Sequence, residues 1–174
     1  MALWKFRARN HPQQVATRGA LHDVDDRETD PVFFGMLHER FYFTLDVAAS
    51  AHNAKCARFF DAVVDGLKQP WAGERVWCNP PYSLIEPWVV KAWDEHKRGA
   101  ELIVMLLPNN RCEQKWWQRY VEPVRDRDGG NFRVEFLPGR PRFIRVGSEG
   151  IGPNERPPFG LVLLVWTYSE AVTR

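Results

Sequence analysis

The sequence predicts an α/β fold, a doubly wound sheet with helices on both faces. Segments with strand and helix character alternate along the chain, which is typical of this class. The run ELIVMLLP at residues 101–108 is almost continuously apolar, as in a parallel strand that is covered on both faces. The 174 residues fit one domain, and a domain of this size buries roughly 70% of the surface that its unfolded chain exposes.

The first half of the chain contains short elements. Asp30 followed by Pro31 predicts a helix start, with a polar cap and a proline in the first turn. The sequence FYFTLD then predicts a strand that ends in an acidic residue, before a turn of small residues. The predicted elements are a helix from 31 to about 40, a strand over 41–46, a short helix over 53–60, a short strand over 61–65 and a strand over 75–78.

The second half continues the alternation. Apolar residues at helical spacing predict a helix that Gly99 ends. The elements predicted here are a helix over 86–98, strands over 101–108, 132–137 and 159–168, and a helix over 113–121. The stretch GSEGIGPNERPP at 147–158 is expected to be a functional or mobile loop. We therefore predict a flexible basic arm over 1–28 and a single domain over 29–170.

Composition excludes several classes of protein. The net charge is only +2, but residues 111–145 hold nine basic and five acidic residues, which suits a surface that faces phosphates. Three scattered cysteines and five scattered histidines have no disulfide or metal-site spacing, so we expect reduced thiols and no metal. The apolar run FGLVLLVW is too short to span a bilayer, and we expect no membrane contact and a cytoplasmic protein.

Polar residues follow three predicted strands, at the sheet edge where ligands of such folds bind. Asp46 and Asp65 end two of them, and Asn79-Pro80-Pro81-Tyr82 follows the third. The Asn79 amide oxygen and the carbonyl of Pro80 can accept hydrogen bonds from one NH₂ group, which frees its lone pair for attack. The tyrosine ring can stack on a planar base, which is worth about 1–3 kcal/mol. The motif therefore suits a flat ring with an exocyclic amine.

This stretch resembles the (D/N/S)-P-P-(Y/F/W) motif of S-adenosylmethionine-dependent amino-methyltransferases. Further blocks are similar to those of phage-type, Dam-like DNA N-6-adenine methyltransferases, and the resemblance covers about residues 27–168. These blocks are FYFTLDVAASAHNAKCARFF, DGLKQPWAGERVWCNPPYS, WVVKAWDEHKRG, LIVMLLPNNR, KWW, VEFLPGRPRF and PPFGLVLLVW. The resemblance implies a Rossmann-like class I methyltransferase sheet that transfers a methyl group from S-adenosyl-L-methionine to N6 of adenine in DNA, with base flipping.

Carried over by position, the resemblance implies a role for individual residues. The flipped adenine would be held by Asn79, Pro80 and Tyr82, with Pro81 shaping the turn. The cofactor-binding residues that the resemblance implies are Thr29, Phe33, Asp46, Ala48 and Asp65. The family has a tryptophan and a proline where this chain has Arg27 and Asp30.

Double-stranded DNA is the implied partner. We take Arg111, Lys115, Arg140 and Arg142 as the candidate DNA-binding residues, in the basic segment. The resemblance also implies a phage or prophage gene that acts in a bacterial cytoplasm and shields DNA from restriction. Three alternatives stay open from the motif alone: methylation of an RNA base, of cytosine N4 or of a protein glutamine. A nucleic-acid-binding relative without catalysis is a fourth.

The sheet is expected to be trimmed at one edge. Only 33 residues separate Asp46 from Asn79, where a complete methyltransferase sheet needs two or three βα units. We expect about one helix and one short strand there. Tryptophans 77, 116 and 117 are expected to be core residues, and Phe143 fits either the core or the site.

Overall fold

A six-stranded mixed sheet forms the centre of the computed structural model, which describes residues 27–125, 127, 130–145 and 157–168. Its strand order is β3-β2-β4-β5-β8-β6, and β1 and β7 form a separate two-stranded ribbon. The strands are β1 Arg27–Thr29, β2 Leu45–Asp46, β3 Arg58–Phe59, β4 Arg75–Cys78, β5 Leu102–Pro108, β6 Phe132–Phe136, β7 Phe143–Arg145 and β8 Leu161–Thr167.

Strand direction changes on one side of the sheet. The strands β3, β2, β4 and β5 are parallel, whereas β8 is antiparallel to both of its neighbours, β5 and β6. All seven residues of β5 are buried, and so are the first six of β8, as expected for strands covered on both faces. The parallel strands bring the ends of β2 and β4 to the same edge of the sheet.

Helices cover both faces, which confirms the predicted architecture. They are α1 Pro31–Phe41, α2 Ile85–Lys97 and α3 Lys115–Tyr120, with a 3₁₀ turn over Asn109–Arg111. Alternate residues of β5 point into two hydrophobic clusters. Ile103, Met105 and Leu107 share a cluster with α2 and α3. Leu102, Val104 and Leu106 belong to the cluster that contains the buried side of α1.

The predicted start of α1 is confirmed. The Asp30 carboxylate accepts a hydrogen bond from Val32 N at 2.8 Å, and Pro31 occupies the first turn. The helix ends where Tyr42 takes a left-handed conformation (φ 51°). Asp30, which replaces the proline of the resembled family, is thus the N-cap of this helix.

The ribbon of β1 and β7 brings together segments that are far apart in the chain. Its register places Thr29 opposite Phe143, and Asp30 N extends the pairing to Arg142 O at 3.4 Å. Neither strand has a pattern that predicts it from the sequence. Of the predicted arm over 1–28, only Arg27 and Glu28 lie within the described residues, and both belong to β1. Of the predicted loop over 147–158, only residues 157 and 158 are described.

Three predictions between residues 41 and 65 were wrong. The strand expected over 41–46 contains only Leu45–Asp46, because α1 extends to Phe41. The helix expected over 53–60 is a series of turns followed by β3. The strand expected over 61–65 is a turn, because the Asp61 carboxylate accepts hydrogen bonds from the backbone N–H groups of residues 63 and 64.

The other predicted elements are confirmed, with α2, α3, β6 and β8 shifted or shortened by one to three residues. The edge of the sheet next to β2 is the two-residue strand β3, in agreement with the short interval between Asp46 and Asn79. The tryptophans at 77, 116 and 117 are buried, and Phe143 is buried as well. Among the described residues, no helix is long and apolar enough to cross a membrane.

Candidate active site

The Asn79-Pro80-Pro81-Tyr82 loop connects the end of β4 to the start of α2. Neither proline can donate a backbone hydrogen bond, so strand pairing stops at Cys78. Pro80 is buried, and a turn closes when Leu84 N donates to Pro81 O at 3.0 Å. Helix α2 then begins at Ile85. The loop is therefore fixed at the carboxyl end of the parallel strands, where ligands of α/β sheets bind.

The Asn79 side chain has one satisfied end and one open end. Its Nδ2 donates to Thr29 Oγ1 at 3.2 Å. Its Oδ1 is buried and has no hydrogen-bond partner among the described residues. Since buried polar atoms in folded proteins are nearly always paired, this oxygen marks a place where a donor is expected to bind.

Tyr82 is held from several sides. Its ring makes edge contacts with Phe143 and Phe159, at centroid distances of 6.3 and 6.2 Å. Its backbone carbonyl accepts a hydrogen bond from Arg111 Nη1 at 2.9 Å. The hydroxyl is buried without a partner among the described residues, and this burial raises the pKa of Tyr82 far above its ordinary value. The phenol is therefore neutral at any physiological pH.

Asp46 is a buried carboxylate at the end of β2, with 3% of its surface exposed. It accepts hydrogen bonds from Lys55 N at 3.0 Å and from Ala48 N at 3.3 Å. Burial raises its pKa from 3.8 to about 6, although these two hydrogen bonds and the Lys55 charge act in the opposite direction. A ligand with a cationic or hydroxyl donor would stabilise the ionised form of Asp46, because it replaces the water that burial removes.

An open pocket joins Asp46 to Asn79. Inside it, Lys55 Nζ forms an ion pair with Glu28 Oε1 at 2.6 Å. The charged lining residues are therefore two carboxylates and one ammonium. The lining is formed by Glu28, Thr29, Asp46, Ala48, Asn53, Lys55, Trp77 and Asn79. With Asp46 ionised, the pocket has one net negative charge and suits a ligand with a net positive charge.

Close backbone contact supports the turn that follows Asp46. A Cβ atom at Gly66 would lie 2.1 Å from Val47 O, so only glycine allows this approach. The Gly66 carbonyl also accepts a hydrogen bond from the buried Trp71 indole at 3.0 Å. The segment between β3 and β4 therefore lies where a larger sheet would continue, and it supports the turn after Asp46.

The structure brings together only part of the predicted cofactor set. Thr29, Asp46 and Ala48 line the pocket with Asn79, whereas Phe33 is half-buried beside the cluster that α1 joins. Asp65 does not line the pocket either. Its carboxylate accepts from Leu67 N at 3.2 Å and pairs with Lys68 Nζ at 2.9 Å, and the Lys68 hydrogen bond lowers the pKa of Asp65.

The four predicted DNA-binding residues lie in two separate parts of the chain. Arg111 donates a hydrogen bond to the Tyr82 carbonyl, and Lys115 is exposed at the start of α3. Arg140 is exposed and Arg142 half-buried in the segment before β7, next to Phe143, which contacts Tyr82. The last two residues therefore lie in the segment that leads to Phe143, whose ring contacts the N-P-P-Y loop.

Sequence reasoning missed four pocket residues. Glu28 fell in the predicted arm, and Asn53 and Lys55 fell in a predicted helix, so no pattern marked them as site residues. Trp77 was assigned to the core, and it both packs there and lines the pocket.

The described residues contain no group of three or more His, Cys, Asp or Glu side chains placed to hold a metal ion.

The fold is that of a Rossmann-like methyltransferase. Its defining features are an antiparallel strand between β5 and β6, a carboxylate at the end of β2 and an N-P-P-Y loop after β4. The family model of DNA N-6-adenine-methyltransferases (Dam) matches residues 18–166, and the chain belongs to this family.

Two curated relatives carry the same description. A DNA N-6-adenine-methyltransferase of Haemophilus phage HP1 (strain HP1c1) is 33% identical over 84 residues, which are 48% of this chain and 48% of the relative. A DNA N-6-adenine-methyltransferase of Escherichia phage T1 is 39% identical over 67 residues, which are 38% of this chain and 28% of the relative. The chain thus spans about half the length of the first relative and just over a quarter of the second. The resemblance inferred from the motifs is confirmed.

Proposed function

We propose that this protein transfers a methyl group from S-adenosyl-L-methionine to the N6 amine of adenine in double-stranded DNA. The observation that carries the proposal is the Asn79 Oδ1 atom, a buried acceptor without a partner among the described residues, at the wall of the Asp46 pocket. An amine donor satisfies this atom. Membership in the Dam family supports adenine as the ring that bears the amine.

The residues present fit the proposed cofactor. S-adenosyl-L-methionine supplies a methyl group on a sulfonium, which leaves as a neutral thioether. Asp46 would accept hydrogen bonds from its ammonium or ribose hydroxyls, and the net negative pocket matches its net positive charge. Ala48 and Trp77 would line the site beside Asp46.

The chain itself would tune and orient the amine. Asn79 Oδ1 and the carbonyl of Pro80 would each accept one N–H, which turns the nitrogen lone pair away from the ring and towards the methyl donor. Tyr82 would stack on the base, with its ring fixed by Phe143 and Phe159. As the N–C bond forms, the amine becomes positively charged and releases one proton to water. Positioning and amine activation would account for the catalysis.

The base must leave the duplex to reach the pocket, at a cost of a few kcal/mol. Arg140 and Arg142 would contact phosphates beside the flipped nucleotide, because their segment leads into Phe143 and the loop. Lys115 would add a more distant contact. We place this activity in the cytoplasm of a bacterial host, in a phage or prophage setting.

Labelled S-adenosyl-L-methionine with separate DNA, RNA and protein acceptors tests the proposal. We expect label in DNA, and N6-methyladenine after digestion to nucleosides. Label in N4-methylcytosine, in RNA or in glutamine would show that the substrate is one of the alternatives and not adenine in DNA. If the protein binds no cofactor with or without DNA, the enzyme proposal fails and the non-catalytic binding protein remains.

A further inference from the structure

Strand β1 delivers a hydroxyl to the amide of the N-P-P-Y loop. Thr29 is 2% exposed, and its Oγ1 lies 3.2 Å from Asn79 Nδ2. The two residues are separated by 50 positions in the chain, so this contact depends on where the ribbon lies. Thr29 lines the same pocket as Asn79 and could be a cofactor contact, as the resemblance implied.

The direction of this hydrogen bond matters for the proposed chemistry. A primary amide has one acceptor end and one donor end. With the donor end on Thr29, the acceptor end is left for a substrate amine, and Oδ1 is buried without a partner among the described residues. The reverse orientation would point two N–H groups at an amine, donor against donor.

We infer that Thr29 is a positioning residue, whose hydroxyl holds the Asn79 amide with its oxygen towards the substrate amine. This inference rests on the proposed function, because it assigns Asn79 the role of acceptor for that amine. It differs from the cofactor role of Thr29, since a positioning residue changes the rate of transfer and leaves cofactor affinity intact.

Three contacts hold Thr29 in place. It pairs with Phe143 across the ribbon, and the next residue, Asp30, donates to Arg142 O. The preceding residue, Glu28, forms the partly buried ion pair with Lys55, whose backbone N–H donates to Asp46. The strand is therefore tied to the turn after β2 and to β7. Since Phe143 also contacts Tyr82, one ribbon supports both ends of the N-P-P-Y loop.

The test compares Thr29→Val, which keeps the shape and removes the hydroxyl, with Thr29→Ser, which keeps the hydroxyl. We expect kcat of Thr29→Val to fall about 10- to 100-fold, because the buried amide loses its partner and its preferred orientation. The dissociation constant for S-adenosyl-L-methionine should stay within about 2-fold, and Thr29→Ser should recover kcat to within about 3-fold of the parent protein.

Thr44→Val is the matched control. Its hydroxyl also makes two hydrogen bonds, donating to Glu74 at 2.7 Å and accepting from Arg75 N at 2.9 Å, but before β2, at the opposite end of that strand from Asp46. This variant should lose some thermal stability and keep kcat. A fall in kcat equal to that of Thr29→Val would show a general effect of destabilisation and overturn the positioning role.

A second readout is independent of activity. In ¹⁵N–¹H spectra, the Asn79 side-chain NH₂ pair is assigned by its absence from Asn79→Ala, and its solvent exchange is measured in the other variants. We expect faster exchange in Thr29→Val and parent-like exchange in Thr29→Ser. If the parent protein fails to methylate any acceptor, the proposed function fails, and unchanged exchange in Thr29→Val would separately overturn the Thr29–Asn79 contact. A cofactor affinity that falls while kcat at saturation is unchanged would make Thr29 a cofactor contact instead.

Discussion

Replacing Asp46 by asparagine is expected to remove a pH dependence of folding stability between pH 4 and pH 7 and to weaken cofactor binding. Burial raises the pKa of Asp46 from 3.8 to about 6, so ionising it in the folded protein costs more than in the unfolded chain. A difference of this size corresponds to about 3 kcal/mol at pH 7. Asparagine avoids this cost because it does not ionise. Its single amide oxygen can accept from only one of Lys55 N and Ala48 N, whereas the carboxylate accepts from both, and this loss costs about 1–3 kcal/mol at every pH.

Protonation of Asp46 sets the expected pH dependence of the free energy of unfolding. The folded protein binds the Asp46 proton more tightly than the unfolded chain does, so the parent protein gains stability as the pH falls from about 6 towards 4. The stability of Asp46→Asn relative to the parent should therefore fall by about 2.5 kcal/mol from pH 7 to pH 4, because the lost hydrogen bond has the same effect at both pH values. Urea or thermal unfolding at both pH values measures it.

Asp94→Asn is the control for this series, because Asp94 lies on α2 with 49% of its side chain exposed and its ion pair with Lys97 is long, at 4.0 Å. Its effect should stay within about 0.5 kcal/mol at either pH. An Asp46→Asn variant whose stability relative to the parent is the same at pH 7 and at pH 4 would refute the conclusion that burial raises the pKa of this carboxyl. Calorimetric titration should show weaker cofactor binding in the same variant, because the pocket loses its net negative charge.

Three further substitutions separate catalysis, loop support and DNA contact. Asn79→Ala should abolish transfer, measured with labelled cofactor, while cofactor affinity stays nearly unchanged. Arg111→Met should lower stability by about 1.5–3 kcal/mol, because the Tyr82 carbonyl loses a charged partner, and should lower kcat without changing the salt dependence of DNA binding. Arg140→Ala and Arg142→Ala should each weaken DNA binding for all sequences and reduce the slope of log affinity against log salt by about 1.

Each of these substitutions has an outcome that would contradict the role given to its residue. If Asn79→Ala fails to fold, the asparagine is structural, which thermal unfolding will show. If Arg111→Met reduces the salt slope, Arg111 contacts phosphate as the sequence analysis proposed. Lys97→Ala, on the exposed end of α2, is the control for the arginine variants and should leave the salt slope unchanged.

Local patterns predicted the long elements well, because their signals lie within a few residues. The apolar run of β5, the cap and proline of α1 and the glycine after α2 each specify an element without help from distant residues. The N-P-P-Y loop was located for the same reason, since two prolines end a strand wherever they occur.

Local patterns did not predict the backbone structure of the segment between β2 and β4. Its residues over 53–60 have helical spacing, but pairing of β3 with β2 and the Asp61 turn decide the backbone there. The ribbon was hidden for another reason: Thr29 and Phe143 pair across more than one hundred residues, and a three-residue strand has no period to detect. For Arg111, the sequence shows the charge of the side chain but not the Tyr82 carbonyl that it reaches.

The position of β8 in the sheet has a consequence for synthesis of the protein. Residues 161–167 pair with β5 on one side and β6 on the other, so β8, the last of the described strands, is the one that joins them. Until this segment has emerged from the ribosome, the edges of β5 and β6 that it covers have no partner and are open to pairing with other chains. A nascent chain stalled before residue 161 should therefore be a target for chaperones, and emergence of β8 should be the event that allows β5 and β6 to join.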